Sequence, residues 1–319
     1  MRVFKNILFF LILIVMLTGM SQPLENIVKA DEKLVQNRNK SMIKISNEKE
    51  NTIDVLVAGD SESFSSVSPM LLWRDHGFMS YVCSQTMQNI QETYYMLKTA
   101  LDTQSPKLVV LETHTWFNSR TGVGGARASV SQLGYNYLPV FRYHDVWKPL
   151  LIGKRYEEPT YKGFKIWDNV ASYEGGDYMK ETKEELEISY TVKIYMDKII
   201  ELCEEKDAKL LLLSTPSPIN YNYKRYKAIK NYAKENSLPY LDLNLKTKEL
   251  GIDWKTDSQD KGDHLNLSGA HKATKYIGNY LAENYDLPDH RDETSYQEWA
   301  DLAQEYEVIT KEKLDAMKK

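Results

Sequence analysis

The residues with the most chemical potential in this sequence are one serine, one histidine and two aspartates. Ser61 stands in Val55-Leu-Val-Ala-Gly-Asp-Ser-Glu-Ser-Phe64, an apolar run that breaks at Gly59 into a polar turn. His264 stands in Asp260-Lys-Gly-Asp-His-Leu-Asn-Leu-Ser-Gly-Ala270, with acids one and four residues before it. A serine hydroxyl becomes a nucleophile when an imidazole takes its proton, and an acid on the other ring nitrogen holds that imidazole in the productive tautomer. Alone, Gly, Asp and Ser are ordinary turn residues, and an Asp-His pair in a polar loop is an ordinary solvated feature. Together they are more informative, because each follows an apolar run with the character of a buried strand.

The elements that must position them read as an alternating series. Ile53–Ala58, Phe78–Cys83, Leu108–Leu111, Lys209–Ser214 and Pro239–Leu243 are short apolar runs of the kind buried parallel strands show. Between them, Met87, Ile90, Tyr94, Leu97 and Leu101 recur at helical spacing, as do Ile188, Val192, Tyr195, Ile199 and Leu202. Tyr226, Ile229 and Ala233 mark a further helix, and a last one begins near Ser268. The alternation predicts an α/β fold in three layers: a central parallel sheet of about five strands, helices on both faces, right-handed crossovers. Ligands of such sheets sit at the carboxyl ends of the strands, where Ser61 and His264 both fall. Residues 115–180, with Gly122, Gly124 and Gly125, keep no clean period and read as an insertion after strand three, expected to cap that face.

The chain ends read differently. Arg2 and Lys5 precede the apolar run Ile7–Leu17, so residues 1–20 read as a signal peptide or signal-anchor that keeps the N-terminus inside and exports the rest. Val28-Lys-Ala30 offers a small-residue cleavage pattern, far past the apolar run. Residues 21–51 read as a polar spacer, 52–285 as the α/β domain and 286–319 as a charged helical tail. A net charge of -4 without a basic stripe argues against a nucleic-acid partner. Cys83 and Cys203 read as buried small apolar residues. His76, His144, His271 and His290 lack acids at metal spacing, so no metal site and no cofactor is expected.

The two stretches resemble the SGNH (GDSL-type) esterase and acyltransferase superfamily, and more narrowly its exported, membrane-anchored members in Gram-positive bacteria, related to D-alanine transfer and alginate-acetylation proteins. Gly59-Asp-Ser-Glu-Ser-Phe64 and Asp263-His-Leu-Asn-Leu-Ser-Gly-Ala270 carry most of the likeness. Ser68-Pro-Met-Leu-Leu-Trp73, Leu108-Val-Val-Leu-Glu-Thr113, Arg142-Tyr-His-Asp-Val-Trp147 and Thr215-Pro-Ser-Pro218 add to it. The resemblance implies a flavodoxin-like sheet, Ser61 as nucleophile and His264 as general base. The family's usual aspartate, three residues before the histidine, is here Lys261, so Asp260 or Asp263 must serve, or a backbone carbonyl orients the ring; Asp260 is preferred because the chain can fold back at Gly262. The oxyanion donors implied are the Ser61 N–H, then Ser84 with Gln85 where the family has a glycine, and Thr113 or His114 where it has an asparagine. Glu62 and Ser63 read as turn and helix-start residues. The implied function is an exported serine esterase or O-acyltransferase acting through an acyl-serine on a cell-surface polysaccharide or other acylated glycan, with a membrane acyl-transport partner. The alternative is a non-catalytic glycan-binding or assembly protein that keeps the fold.

Overall fold

Five apolar runs make the sheet: β1 Val55–Gly59, β2 Ser80–Ser84, β3 Leu108–Glu112, β4 Lys209–Ser214 and β5 Tyr240–Asp242. In the computed structural model, which describes residues 2–36, 38–157 and 161–318, every pairing is parallel and the order is β2-β1-β3-β4-β5. This is the flavodoxin-like order of a doubly wound sheet, and its order reverses between β1 and β3. Side chains alternate across a strand, so Val55, Val57, Val110, Leu211 and Leu213 face one layer of helices, and Leu56, Ala58, Val109 and Leu212 face the other. All nine are buried, as a sheet covered on both faces requires.

Two compact units share the chain. One gathers the residues up to Glu48 with the segment that opens at Arg120; the other holds Lys49–Ser119 and the chain from Tyr161 on. The helices of the first unit are α1 Arg2–Ala30 and α2 Lys40–Asn47, joined later in the chain by α7, α8 and α9; those of the second, in order, are α3 Ser61–Ser66, α4 Pro69–His76, α5 Ile90–Leu101 and α6 Thr115–Asn118. The inserted helices are α7 Gly122–Tyr137, α8 Val140–Tyr143 and α9 Trp147–Leu151. The remainder are α10 Tyr190–Glu205, α11 Tyr223–Glu235, α12 Thr247–Leu250, α13 Leu267–Asn284 and α14 Gln297–Met317.

In the sheet unit, α5 and α10 pack together on one face, while α13 packs on α3 and α4 through Phe64, Leu72, Ala273, Ile277 and Leu281. The charged tail lies on this body: Trp299 of α14 meets Trp73 of α4 at 5.7 Å, and the buried Tyr306 hydroxyl lies 3.0 Å from His271 Nε2. Cys83 and Cys203 are both buried and not joined in a disulfide, and burial pushes the Cys203 thiol up to about 12.

The other unit differs from a spacer. Val28, Val35, Ile43, Tyr143 and Val146 form a small core, with Leu24 packed against it. Between residues 31 and 51 its apolar residues show no long period, because the helices there are short and the chain turns between them at Asn39, which has φ 68°. Residues 120–157 belong to this unit, whereas 161–180 run over the sheet unit, so the segment read as one insertion is divided between the two.

Candidate active site at the carboxyl ends of the strands

The loop after β5 presents His264 by doubling back on itself. Lys261 and Gly262 take φ values of +64° and +94°, a left-handed pair that reverses the chain within one turn. Gly262 has no room for a side chain, since a Cβ there would meet Tyr173 Cδ2 at 2.8 Å. The reversal returns Asp260 to His264: Oδ1 accepts the backbone N–H of His264 at 2.7 Å and Oδ2 lies 2.7 Å from Nδ1. Asp263 Oδ1 is 3.8 Å from the same nitrogen and accepts instead from the Asn220 amide. The preferred acid of the two is therefore the one seated on the imidazole, at the position the chain reversal provides.

The loop is held from three sides. Ser258 accepts from the Gly262 N–H at 2.6 Å, and the Ser217 hydroxyl of the turn after β4 donates to the Asp263 carbonyl at 2.6 Å. Asn266 accepts from Ser268 and Gly269 at the start of α13, while its amide donates to the carbonyls of Thr256, Ser258 and Asn169. Residues 165–173 lie along the site, with Lys165 N–H on the Phe64 carbonyl of α3, Ala171 N–H on Ser258 and Lys261 N–H on Ala171. One strap thus fastens the helix that follows Ser61 to the loop that carries His264.

Ser61 opens α3 directly after β1, half-buried, with Asp60 as the preceding cap. Gly59 is required by the neighbouring strand: a Cβ there would lie 2.7 Å from Glu112 Cβ and 2.9 Å from Ser63 Oγ. Asp60 is fully buried, and its Oδ2 takes His114 Nδ1 at 2.9 Å and the Asn118 amide at 2.7 Å. Burial works against a charged His114, but the hydrogen bond and charge of Asp60 outweigh it and raise its pKa.

The expected oxyanion residues fare differently. Ser84 closes β2 opposite Gly59, and Gln85 follows it, buried. Thr113 is turned into the sheet: its N–H donates to the Leu213 carbonyl and its buried hydroxyl pairs with Ser214 at 2.6 Å, which holds both groups inside the fold. His114 reaches the site through Asp60. Asn118, one helical turn further on, brings a side-chain amide beside the residue preceding Ser61. The sequence offered no asparagine directly after β3; Asn118 lies one turn into the next helix, at the same strand end.

Glu62 is also more than a helix-start residue. Its side chain is fully buried, Oε1 accepts from Asn220 at 2.8 Å, and Oε2 has no hydrogen-bond partner among the described residues. Burial, which outweighs the nearby His264 and His114, pushes Glu62 up to about 7. Glu112, buried beside Asp60 and Glu62, is raised well above the usual carboxylate range for the same reason. Donor atoms of Glu62, Asp263 and His264 lie within 4.8 Å of one another, a spacing a metal ion could use, but Asn220 bridges the two carboxylates as a hydrogen-bond donor. Burial pulls His264 down, yet the bond to Asp260 and the charges of Glu62 and Asp263 raise it to about 9. Nδ1 of the imidazole is committed to Asp260, and a pKa near 9 keeps the ring largely protonated at neutral pH.

The fold and these side chains define a doubly wound α/β protein in which His264, Asp260, Asp263 and Glu62 gather beside the start of α3, the helix that Ser61 opens. No family model and no curated protein matches the chain. Among solved structures, it is similar to a candidate acylhydrolase from Bacteroides fragilis, with TM-score 0.41 and 12% identity over 75% of this chain and 93% of that one.

Proposed function

We propose that the protein is an exported, membrane-anchored serine esterase or O-acyltransferase of the SGNH type. The observation that carries this reading is the two-point seating of His264 on Asp260, at the strand ends where Ser61 begins α3. Ser61 Oγ gives its proton to His264 Nε2 and attacks the acyl carbonyl; the leaving alcohol then takes that proton, and an acyl-serine remains. His264 next deprotonates water or a sugar hydroxyl, which displaces the acyl group and regenerates Ser61. Developing oxyanion charge is taken by the Ser61 N–H, with Ser84 and Gln85 at the end of β2 and the Asn118 amide as further donors. His114, held by Asp60, lines the same side. The acceptor is a cell-envelope glycan, and acyl groups arrive from a membrane acyl-transport partner. The long apolar helix α1 supports the anchor, and Val28 in a packed core favours its retention over cleavage after Ala30.

Incubation with an activated acetyl ester should leave an acetyl group on Ser61, and Ser61→Ala and His264→Ala should both lose it while staying folded by circular dichroism. A second reading, a non-catalytic glycan binder, draws on one observation: Asp60, Glu62 and Glu112 are buried carboxyl groups around the place where negative charge would develop. Glycan binding unchanged by Ser61→Ala, with no acyl adduct in the parent protein, would favour it.

A further inference from the structure

The N-terminal unit exposes a stripe of apolar side chains to solvent. Val123, Val130, Leu133 and Tyr137 recur along α7 at helical spacing, and Phe141 continues the series into α8. They are 90, 70, 49, 66 and 43% exposed. Only Arg127 is charged in the sixteen residues of α7, and only Gly125 and Gln132 are buried there. An isolated exposed apolar residue needs no explanation, whereas four in register on a nearly uncharged helix, with a fifth on the next, mark a binding face.

The position of this stripe along α1 identifies its occupant. Ser21 of α1 donates to the Leu17 carbonyl at 2.8 Å and accepts the Val140 N–H at 3.1 Å, so the turn between α7 and α8 is tied to α1 at that level. Arg2 to Met20 spans about 28 Å at the helical rise of about 1.5 Å per residue. That matches a hydrocarbon core of about 30 Å. With Arg2 and Lys5 in the inner headgroup layer, Ser21 reaches the outer one, and Tyr137 and Phe141 arrive with it. Aromatic side chains are favoured at that depth. We propose that α7, with Phe141 of α8, lies in the outer leaflet surface of the bilayer that α1 crosses, so that the N-terminal unit is a membrane-seated platform and not only a tether. This rests on the anchor assigned to α1 under the proposed function.

The test uses the full chain reconstituted into phosphatidylcholine–phosphatidylglycerol vesicles. New cysteines at Val130→Cys and Leu133→Cys, with Glu283→Cys at an exposed position of α13 as control, take an environment-sensitive fluorophore; the native Cys83 and Cys203 are buried. Labels at 130 and 133 should shift to the blue and lose most of their emission to doxyl-labelled phosphatidylcholine, while the label at 283 does neither. If the chain floats with the vesicles and resists alkaline extraction, yet all three labels behave alike, the platform is overturned and the anchor stands. Labels at 130 and 133 that are dehydrated but unquenched by lipid would mean that a second copy covers the stripe, which also overturns it. A chain that fails to float refutes the anchor and the platform together.

Discussion

His264 and Glu62 set the pH behaviour of the site. His264 is held to about 9 by Asp260 and the neighbouring acids, and only its neutral form can accept the serine proton. The free-enzyme rate should therefore rise with pH through a limb well above the ordinary histidine value, as kcat/KM profiles would show. Glu62→Gln keeps the Asn220 bond but removes a charge that holds His264 protonated, so its limb should move to lower pH. Because the two groups interact, the limb belongs to the pair. Stability gives an independent readout. Glu62 has a folded pKa of about 7 against 4.5, so the fold carries no penalty from it below pH 4.5, and a growing one, about 3 kcal/mol in all, as pH rises to about 7. Glu62→Gln should raise the melting temperature at about pH 8 and leave it nearly unchanged at about pH 4.5. The aspartates also separate: Asp260→Asn should lower turnover by roughly 10⁴-fold by favouring the wrong tautomer, as in a well-defined triad. Asp263→Asn should cost far less, because Asp263 holds Asn220 and stands 3.8 Å from the ring nitrogen. The contact between Asp260 and His264 was readable because a local turn makes it. Glu62 and Asn118 were not, since their roles depend on side chains from Asn220 and Asp60 that no sequence spacing brings together.

At the scale of elements, the site depends on one reversed loop and the strap beside it. Gly262→Ala must bear a φ of +94° and a contact with Tyr173, so it should destabilise by about 1–2 kcal/mol or more. It should also lower activity disproportionately, since the same turn brings Asp260 to His264; chemical denaturation paired with ester turnover would separate the two effects. The five strands were legible from apolar runs, each within two residues of its observed start, because buried parallel strands have no polar alternation to blur them. The strap at 165–173 was illegible: it makes backbone hydrogen bonds to loops and has no period of its own. The spacer at 21–51 concealed a core for the related reason that its helices beyond Ala30 are too short to show a stripe.

For the whole molecule, a small unit that holds the long apolar helix α1 and the inserted α7, α8 and α9 shares the chain with an α/β body that has a buried polar centre at its switch point. Because Val28 and Leu24 complete the packing of the small unit, protein recovered from membranes should retain α1, which intact mass and N-terminal sequencing would show. The central claim, that Ser61 is acylated with His264 as its base, is tested most directly by mass spectrometry of the peptide containing Ser61. The protein is incubated with an activated acetyl ester at several values between about pH 6 and 9 and quenched in acid. The account predicts an acetyl group on Ser61 that accumulates faster as pH rises and is absent from Ser61→Ala and His264→Ala. An unmodified Ser61 in folded protein across that range, or an equal acetyl yield in His264→Ala, would contradict it.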